Sequence, residues 1–169
     1  KNIELNGNYK GPRFEGTAKI DDENGHFYTG VLGGRVLYRV LAENGYIDLA
    51  YNMIVRPDYP SYGNWIARGA TTLWEVFQPE GSDRIGSLNH HFWGDISSWF
   101  TQALSGIRMA PHGEPNEVDF RPSFISRLTH AEAFHIAPAG RIASAWERDE
   151  DDVIVLTVEL PSTMHGVIR

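Results

Sequence analysis

The chain has 169 residues, a net charge of −7 and no cysteine. This length is enough for one ordinary domain or two small ones, and a hydrophobic fraction of 41% predicts a folded protein with a core. An acidic chain without a Lys/Arg cluster lacks the pattern of a nucleic-acid-binding protein, and no apolar run approaches the ~20 residues of a membrane span. The absence of cysteine excludes disulfides, thiol catalysis and cysteine-based zinc sites, and leaves the cellular compartment undetermined.

The first segment, residues 1–29, is polar and rich in glycine, with a turn signal at residues 22–25. We predict mostly loop there, with a short strand near residues 16–20. The acidic cluster at residues 21–23 could hold a calcium ion. A solvated turn explains this cluster better, because the oxygen ligands of a calcium loop lie at alternating positions.

Helical periodicity follows. Apolar residues over 31–41 predict a first helix that ends at Asn44-Gly45. Residues 46–54 repeat apolar side chains at the spacing of an amphipathic helix, which Pro57 ends. The short link between the two helices predicts an antiparallel hairpin.

A long connection is predicted over residues 57–89, which contain several prolines and glycines. Long ordered loops in compact proteins are often functional. A third helix is predicted from about His90 to Leu104, closed by Gly106.

Beyond residue 115 the pattern alternates, which predicts a small antiparallel β-domain. The acidic run over residues 147–152 could attract a cation, but a hairpin turn explains it better. The predicted fold class is therefore α+β, with helices in residues 1–115 and strands in residues 116–169. The strands are predicted at residues 118–121, 128–135, 141–148, 153–160 and, at an edge, 167–168, with turns at 138–140 and 149–152.

Glu75 is the first candidate for catalytic chemistry, because it follows Trp74 at the end of the segment Gly69-Ala70-Thr71-Thr72-Leu73-Trp74-Glu75. The β-branched threonines favour an extended backbone, which would place Thr72 and Trp74 on one side and Glu75 on the other. Partial desolvation of Glu75 would disfavour its charged form, which suits acid–base work. The alternative is a structural carboxylate paired with Arg68 or Arg84.

His90 and His91 form the second candidate group, near the start of the third helix. Neighbouring residues on a helix point in different directions, so one histidine could line a site, with Asn89 or Ser87 as the helix cap. The histidine spacing and extra carboxylates of a zinc site are missing, so no metal is expected. Three tryptophans could stack on sugar faces, although core packing is the default interpretation for each: Trp65, Trp74 and Trp93.

Taken in order, these motifs resemble the C-terminal part of bacterial α-L-rhamnosidases, which are inverting glycosidases built on an (α/α)6 barrel. The matching segments include Tyr59-Pro60-Ser61-Tyr62-Gly63, the segment that ends at Glu75, Ser87-Leu88-Asn89-His90 and, in the β-domain, Ser144-Ala145-Trp146. The resemblance implies that residues 1–115 are the last helices of the barrel and that residues 116–169 form a C-terminal antiparallel β-sandwich. The chain departs from the family pattern at His91-Phe92-Trp93 and in the variable loop over residues 77–86.

The resemblance also implies roles for individual residues. Glu75 would be the general base that activates water, His90 would contact the sugar, Trp74 would form a pocket wall, and no cofactor would be required. An inverting glycosidase needs a second carboxyl group ~6.5–9.5 Å from the base, as general acid. The acid of the family lies upstream of anything in this chain, and the barrel needs many more helices than the predicted ones.

We therefore expect a fragment that hydrolyses terminal α-L-rhamnosyl residues only together with the remaining N-terminal part of the barrel. Its other partner would be a rhamnose-containing oligosaccharide or glycoside, and neither nucleic acid nor membrane is expected. Two other functions stay open. One is another (α/α)6-barrel glycosidase, similar to a fucosidase or glucosidase. The other is a non-catalytic carbohydrate-binding or interaction module, for which Glu75 would be dispensable.

Overall fold

A computed structural model describes residues 26, 30–82, 86–110 and 113–169. Helices precede strands along the chain, so the predicted α+β class is confirmed. The chain divides into two compact units, Lys1–Ile96 and Ser97–Arg169. The strand predicted near residues 16–20 and the acidic cluster at residues 21–23 lie outside the described residues. In the described part of the chain, no helix has the length and apolarity to cross a membrane.

The first two predicted helices are confirmed as α1, Val31–Glu43, and α2, Ile47–Val55, which contact each other. Helix α1 ends at Asn44-Gly45, where Gly45 adopts a φ of +85°. This left-handed backbone is the conformation in which glycine commonly ends a helix. The apolar periodicity of both segments was therefore sufficient to place them.

A short helix, α3 (Tyr62–Ala67), lies inside the connection that was predicted to be irregular. Ser61 caps it, because its Oγ accepts a hydrogen bond from the Asn64 N–H at 2.9 Å. The same buried hydroxyl lies 2.5 Å from the Arg56 carbonyl oxygen, and therefore ties α3 to the end of α2. A helix of this length has too few turns to show a periodic pattern, and the capping serine was the available signal.

The third predicted helix is divided into three pieces: a 3₁₀ turn, His91–Trp93; helix α4, Asp95–Trp99; and a π-helical turn, Phe100–Leu104. The prediction of one regular helix is wrong in this respect. Gly94 separates the first two pieces. At the far end, the Ser123 N–H donates to the Ala103 carbonyl at 2.8 Å, so a later segment replaces a helical partner of the last turn.

The second unit contains two three-stranded sheets. In one sheet the order is β1 (Ile107–Met109), β2 (Glu117–Phe120) and β6 (His165–Ile168). In the other it is β3 (His130–Ala137), β4 (Gly140–Arg148) and β5 (Ile154–Glu159). All described strand pairs are antiparallel except β2 with β6, which is parallel. The antiparallel prediction is therefore wrong for β6, and β1 was too short for its alternation to be noticed.

Both sheets contribute side chains to one core in the second unit. Trp146, almost fully buried, donates its indole N–H to the Leu104 carbonyl at 2.8 Å and meets the Phe124 ring edge-on at 5.4 Å. Its polar atom is thus satisfied by an open carbonyl of the last helical turn. The central members of this core are Ile107, Val118, Phe120, Ala137, Ile142 and Met164.

The acidic run after β4 is a turn, as predicted. One carboxylate oxygen of Asp149 accepts the backbone N–H groups of Asp151 and Val153, each at 2.9 Å. Arg148 pairs with Asp152 across the same turn. The carboxylate of Asp149 therefore organises the backbone of the hairpin, the usual role of aspartate in turns.

Gly106 is expected to be the least replaceable glycine of the second unit. Its φ is +76°, and an added Cβ would lie 2.1 Å from the backbone nitrogen of Pro122. Gly106→Ala should lower the free energy of unfolding by about 3 kcal/mol or more, since backbone strain and overpacking add. Gly113→Ala is the matched control, because Gly113 has a φ of +85° and open space around its Cβ. It should cost about 1–2 kcal/mol in urea unfolding, and equal losses for the two variants would contradict the close-approach argument.

The Asp58 carboxylate is expected to make folding stability depend on acid pH. Two nitrogens of Arg56 donate to it at 2.9 and 2.8 Å, and His26 Nε2 lies 3.1 Å from its Oδ2. The hydrogen-bonded guanidinium holds the pKa of Asp58 well below its usual range. A carboxyl group with a lowered pKa in the folded state stabilises the protein above its unfolded pKa of ~4, and this contribution is lost as pH falls through the lowered value.

Asp58→Asn should therefore lower the thermal unfolding midpoint at pH 7, and the difference from the unmodified chain should narrow below pH ~4. The side chain is 51% exposed, so the contribution should stay below ~1 kcal/mol. Asp151→Asn, in an exposed turn, controls for the loss of one negative charge from an acidic chain. A difference for Asp58→Asn that is constant between pH 7 and pH 3 would show that the ion pair does not contribute.

Candidate active site

Two backbone hydrogen bonds bring Glu75 and His90 together. The Glu75 N–H donates to the Ser87 carbonyl, and the His90 N–H donates to the Leu73 carbonyl, each at 2.8 Å. The chain bends at residues 71–72 and 75–76, so the continuous extended strand predicted for this segment is not formed. The segment is held by pairing with residues 87–90 rather than by strand geometry of its own.

The carboxylate of Glu75 is fixed through one of its oxygens. Oε2 accepts the Ser87 backbone N–H at 2.8 Å and lies 3.9 Å from Nδ1 of His90. The side chain remains 43% exposed, so the described residues desolvate it only in part. The backbone of Glu75 is held as well, because its carbonyl accepts the indole N–H of Trp93 at 2.9 Å. The result is an oriented carboxylate that still has access to solvent.

His90 occupies the position just before the 3₁₀ turn, with an extended backbone. The predicted side-chain cap from Asn89 or Ser87 is wrong, because Ser87 Oγ contacts the Asn89 backbone instead. The rings of His90 and His91 are nearly parallel, with their centroids 5.9 Å apart. Because His90 precedes the 3₁₀ turn, the two histidines do not both lie on a helix, as had been expected. Nε2 of His90 is buried and has no hydrogen-bond partner among the described residues.

Arg68 does not serve as the structural partner of Glu75 that the sequence left open. Its guanidinium donates to the Gln78 carbonyl at 2.7 Å and lies 5.3 Å from the centre of the Trp74 ring. The pairing of Glu75 with Arg68 is therefore wrong. The other alternative, Arg84, lies outside the described residues.

The three tryptophans have different environments. Trp65 and Trp93 are buried, and Phe77 packs against both, stacked on Trp65 at 4.1 Å. Core packing, the default interpretation, is therefore confirmed for these two. Trp74 is half-buried, with its ring 6.1 Å from that of Trp65. Of the three, Trp74 keeps the more accessible ring.

A buried tyrosine supports this aromatic cluster. The Tyr62 hydroxyl donates to the Trp93 carbonyl at 3.2 Å, and its ring meets those of Trp65 and Phe77 edge-on. Burial, and to a smaller extent the nearby Asp95, raises the pKa of Tyr62 well above its usual value. The phenol therefore stays protonated and remains a donor to the backbone beside the site.

Two partners of Glu75, the backbone N–H of Ser87 and the indole of Trp93, were not predicted from the sequence. No sequence signal reveals a backbone donor, because every residue except proline carries one. In the described ranges, no group of three or more His, Cys, Asp or Glu side chains could hold a metal ion. A cleft of about 350 Å³ lies elsewhere in the first unit, between α1 and the His91-Phe92 turn. Glu75, Trp74 and His90 do not line it.

Comparison with known proteins relates both parts of the chain to one group of enzymes. Residues 9–104 match the bacterial alpha-L-rhamnosidase 6 hairpin glycosidase domain, and residues 116–167 match the bacterial alpha-L-rhamnosidase C-terminal domain. An alpha-L-rhamnosidase of Formosa agariphila is 34% identical over 86% of this chain, which spans 16% of that relative.

Solved structures give the same relation. The alpha-L-rhamnosidase of Dictyoglumus thermophilum matches 89% of this chain with a TM-score of 0.80 and 30% identity, over 17% of its own length. The Streptomyces avermitilis alpha-L-rhamnosidase complexed with L-rhamnose matches 89% of this chain with a TM-score of 0.81 and 29% identity, over 15% of its length. The chain, a small part of the length of these enzymes, belongs to the bacterial α-L-rhamnosidase family of glycoside hydrolases.

Proposed function

We propose that this chain is the C-terminal part of an inverting α-L-rhamnosidase and supplies its general base, Glu75. Residues 1–115 would be the last helices of the (α/α)6 barrel, and residues 116–169 the C-terminal β-sandwich. The shared core of the two small sheets supports the sandwich assignment. The substrate would be a glycoside or oligosaccharide with a terminal α-L-rhamnosyl residue, the sugar bound in the Streptomyces avermitilis relative.

The observation that carries this proposal is the held but accessible carboxylate of Glu75. A general base must be oriented toward the proton that it takes, and must be reachable by water. The Ser87 N–H fixes Oε2 at 2.8 Å, and 43% of the side chain is exposed. The structural alternative with Arg68 is excluded, because that guanidinium is engaged by the Gln78 carbonyl, while Arg84 lies outside the described residues.

In the proposed reaction, Glu75 takes a proton from a water molecule as the water oxygen attacks the anomeric carbon. A general acid on the opposite face of the sugar donates a proton to the departing glycosidic oxygen, and the configuration inverts. The two carboxyl groups would stand ~6.5–9.5 Å apart so that the water fits between base and sugar. We place the acid in a part of the enzyme upstream of this chain.

His90 is proposed to bind the sugar, and Trp74 to form a wall of its pocket. The His90 side chain is 23% exposed, and its Nδ1 lies 3.9 Å from Oε2 of Glu75, so a sugar beside the proposed base would find part of the imidazole accessible. Trp74 lies next to Glu75 in sequence and keeps part of its ring accessible, which suits contact with the apolar face of a pyranose.

The exposed apolar side chains of the helices support a site completed by further helices. Leu32 on α1 and Ile66 on α3 are 76% and 73% exposed. Helix α1 buries one face through Leu37 and Leu41 and presents Leu32 and Val36 elsewhere. Helices in a barrel of paired helices are packed on more than one side, so the remaining part of the barrel would cover these residues.

In the full-length protein that carries this chain, Glu75→Gln should lower kcat for an aryl α-L-rhamnoside about 10³-fold. The Kd for L-rhamnose should change little, because the amide keeps the shape of the carboxyl group but cannot accept the proton. Glu114→Gln, at an exposed position of the second unit, is the control. Azide added to Glu75→Ala should restore turnover and give a β-glycosyl azide. An unchanged kcat for Glu75→Gln would rule out the base role.

The isolated 169 residues are expected not to hydrolyse an aryl α-L-rhamnoside, because a base without its acid lacks half of the catalytic pair. The measurement is release of the aryl group by the isolated chain and by the full-length protein at equal concentration. Circular dichroism of the isolated chain controls for loss of folding. Turnover by the folded isolated chain that Glu75→Gln abolishes would show that the acid lies within these residues.

A further inference from the structure

We propose that the Gly86-Ser87 step is a positioning element for Glu75, which anchors Oε2 and leaves Oε1 to take the proton from water. This inference rests on the proposed role of Glu75 as general base. It assigns different tasks to the two carboxylate oxygens, and it explains why no side chain stands at residue 86.

The anchoring starts from a reciprocal pair of hydrogen bonds. The Glu75 N–H donates to the Ser87 carbonyl, and the Ser87 N–H donates to Oε2 of Glu75, each at 2.8 Å. Backbone and side chain of Glu75 are thus held by the same residue. A rotation about the side-chain torsions would break the second bond, so the carboxylate has one preferred orientation.

Gly86 also lies close to the Glu75 side chain. A Cβ built at this position would lie 3.2 Å from Cβ and from Oε2 of Glu75, and 3.2 Å from Cγ2 of Val76. Contacts this short force the neighbour to give way by a few tenths of an ångström. Because Oε2 is one of the atoms in contact, an added methyl group would push on the anchored oxygen itself.

The backbone of Glu75 cannot yield easily. Its carbonyl accepts the Trp93 indole N–H at 2.9 Å, and the Trp93 carbonyl in turn accepts the Tyr62 hydroxyl at 3.2 Å. Trp93 and Tyr62 are both buried in the aromatic cluster. Pressure from residue 86 would therefore move the carboxylate rather than the backbone behind it.

Among the described residues, the contacts of the Glu75 carboxylate with Ser87 and with His90 fall on the same oxygen. The Ser87 N–H lies at 2.8 Å and His90 Nδ1 at 3.9 Å, each measured to Oε2. An oxygen that accepts a fixed donor has one lone pair occupied and is confined in direction. On this proposal the proton from the attacking water goes to Oε1, whose direction is set by the anchor on Oε2.

The test uses the full-length protein and two variants of the step. Gly86→Ala should lower kcat for an aryl α-L-rhamnoside about tenfold, since a displacement near 1 Å in a catalytic group can cost about 10²-fold and this shift is smaller. Ser87→Pro removes the N–H donor while keeping the carbonyl that holds the Glu75 backbone, and should lower kcat about 10²-fold. In both variants KM and the Kd for L-rhamnose should stay within about twofold, because positioning of the base acts on the chemical step.

Two matched backgrounds separate positioning from packing. Val76→Ala removes the contact of the added methyl group with Cγ2, so Gly86→Ala should lose the same factor in kcat in this background. Glu75→Asp withdraws Oε2 from residue 86 and keeps the contact with Cβ, so Gly86→Ala should lose a smaller factor there, less than about threefold. Full recovery with Val76→Ala, an unreduced loss in Glu75→Asp, or KM rising in step with the fall in kcat would each overturn the proposal.

The outcomes also distinguish the positioning role of Gly86 and Ser87 from the general-base role of Glu75 on which it rests. If Glu75→Gln retains kcat, the base assignment fails and the positioning role fails with it. If Glu75→Gln is inactive while Gly86→Ala and Ser87→Pro both keep kcat within twofold, the base assignment stands and only the positioning role is wrong.

Discussion

The pairing of residues 73–75 with residues 87–90 is the constraint on which the candidate site depends. Two peptide hydrogen bonds, each of 2.8 Å, place the carboxylate of Glu75 and the imidazole of His90 on adjoining chain segments. Both ends of the connection between them are held as well, because Phe77 packs on Trp65 and Trp93 at one end and Gly86 lies against Glu75 at the other. A change of sequence at either end of this connection would therefore be felt at Glu75.

The aromatic cluster beneath this pairing is part of the site as well as part of the core. Buried tryptophan and tyrosine side chains need partners for their polar atoms. Here the partners are the carbonyls of Glu75, for Trp93, and of Trp93, for Tyr62. Burial also keeps the pKa of Tyr62 high, so the phenol remains a donor at neutral pH. The packed aromatic cluster thus holds the backbone of Glu75 through the Trp93 indole.

Sequence patterns predicted the elements that are long enough to show a repeat of apolar residues. Helices α1 and α2 and strands β3–β5 follow from apolar spacing, and the order of short motifs identified Glu75, Trp74 and His90 as the residues to inspect. Helix α3 and strand β1 were missed because six and three residues carry too little periodicity. The parallel pairing of β6 depends on where the chain returns after β5, which local patterns do not encode. The Ser87 donor is a backbone group, and side-chain identity gives no sign of it. Gly86 is visible in the sequence, but its closeness to Glu75 is a tertiary contact that local patterns do not encode.

Glu75 and His90 differ in how completely their polar atoms are hydrogen-bonded. In the described part of the chain, the groups that hydrogen-bond Glu75 and the groups that hold those partners lie between residues 62 and 93, so the proposed base can be preorganised before the rest of an active site surrounds it. His90 differs, because its buried Nε2 has no partner among the described residues, and its ring is therefore held less completely than the Glu75 carboxylate. On the proposed function, Glu75 is held ready in the absence of substrate, whereas the orientation of the His90 imidazole is left to be fixed by what surrounds it in the complete enzyme.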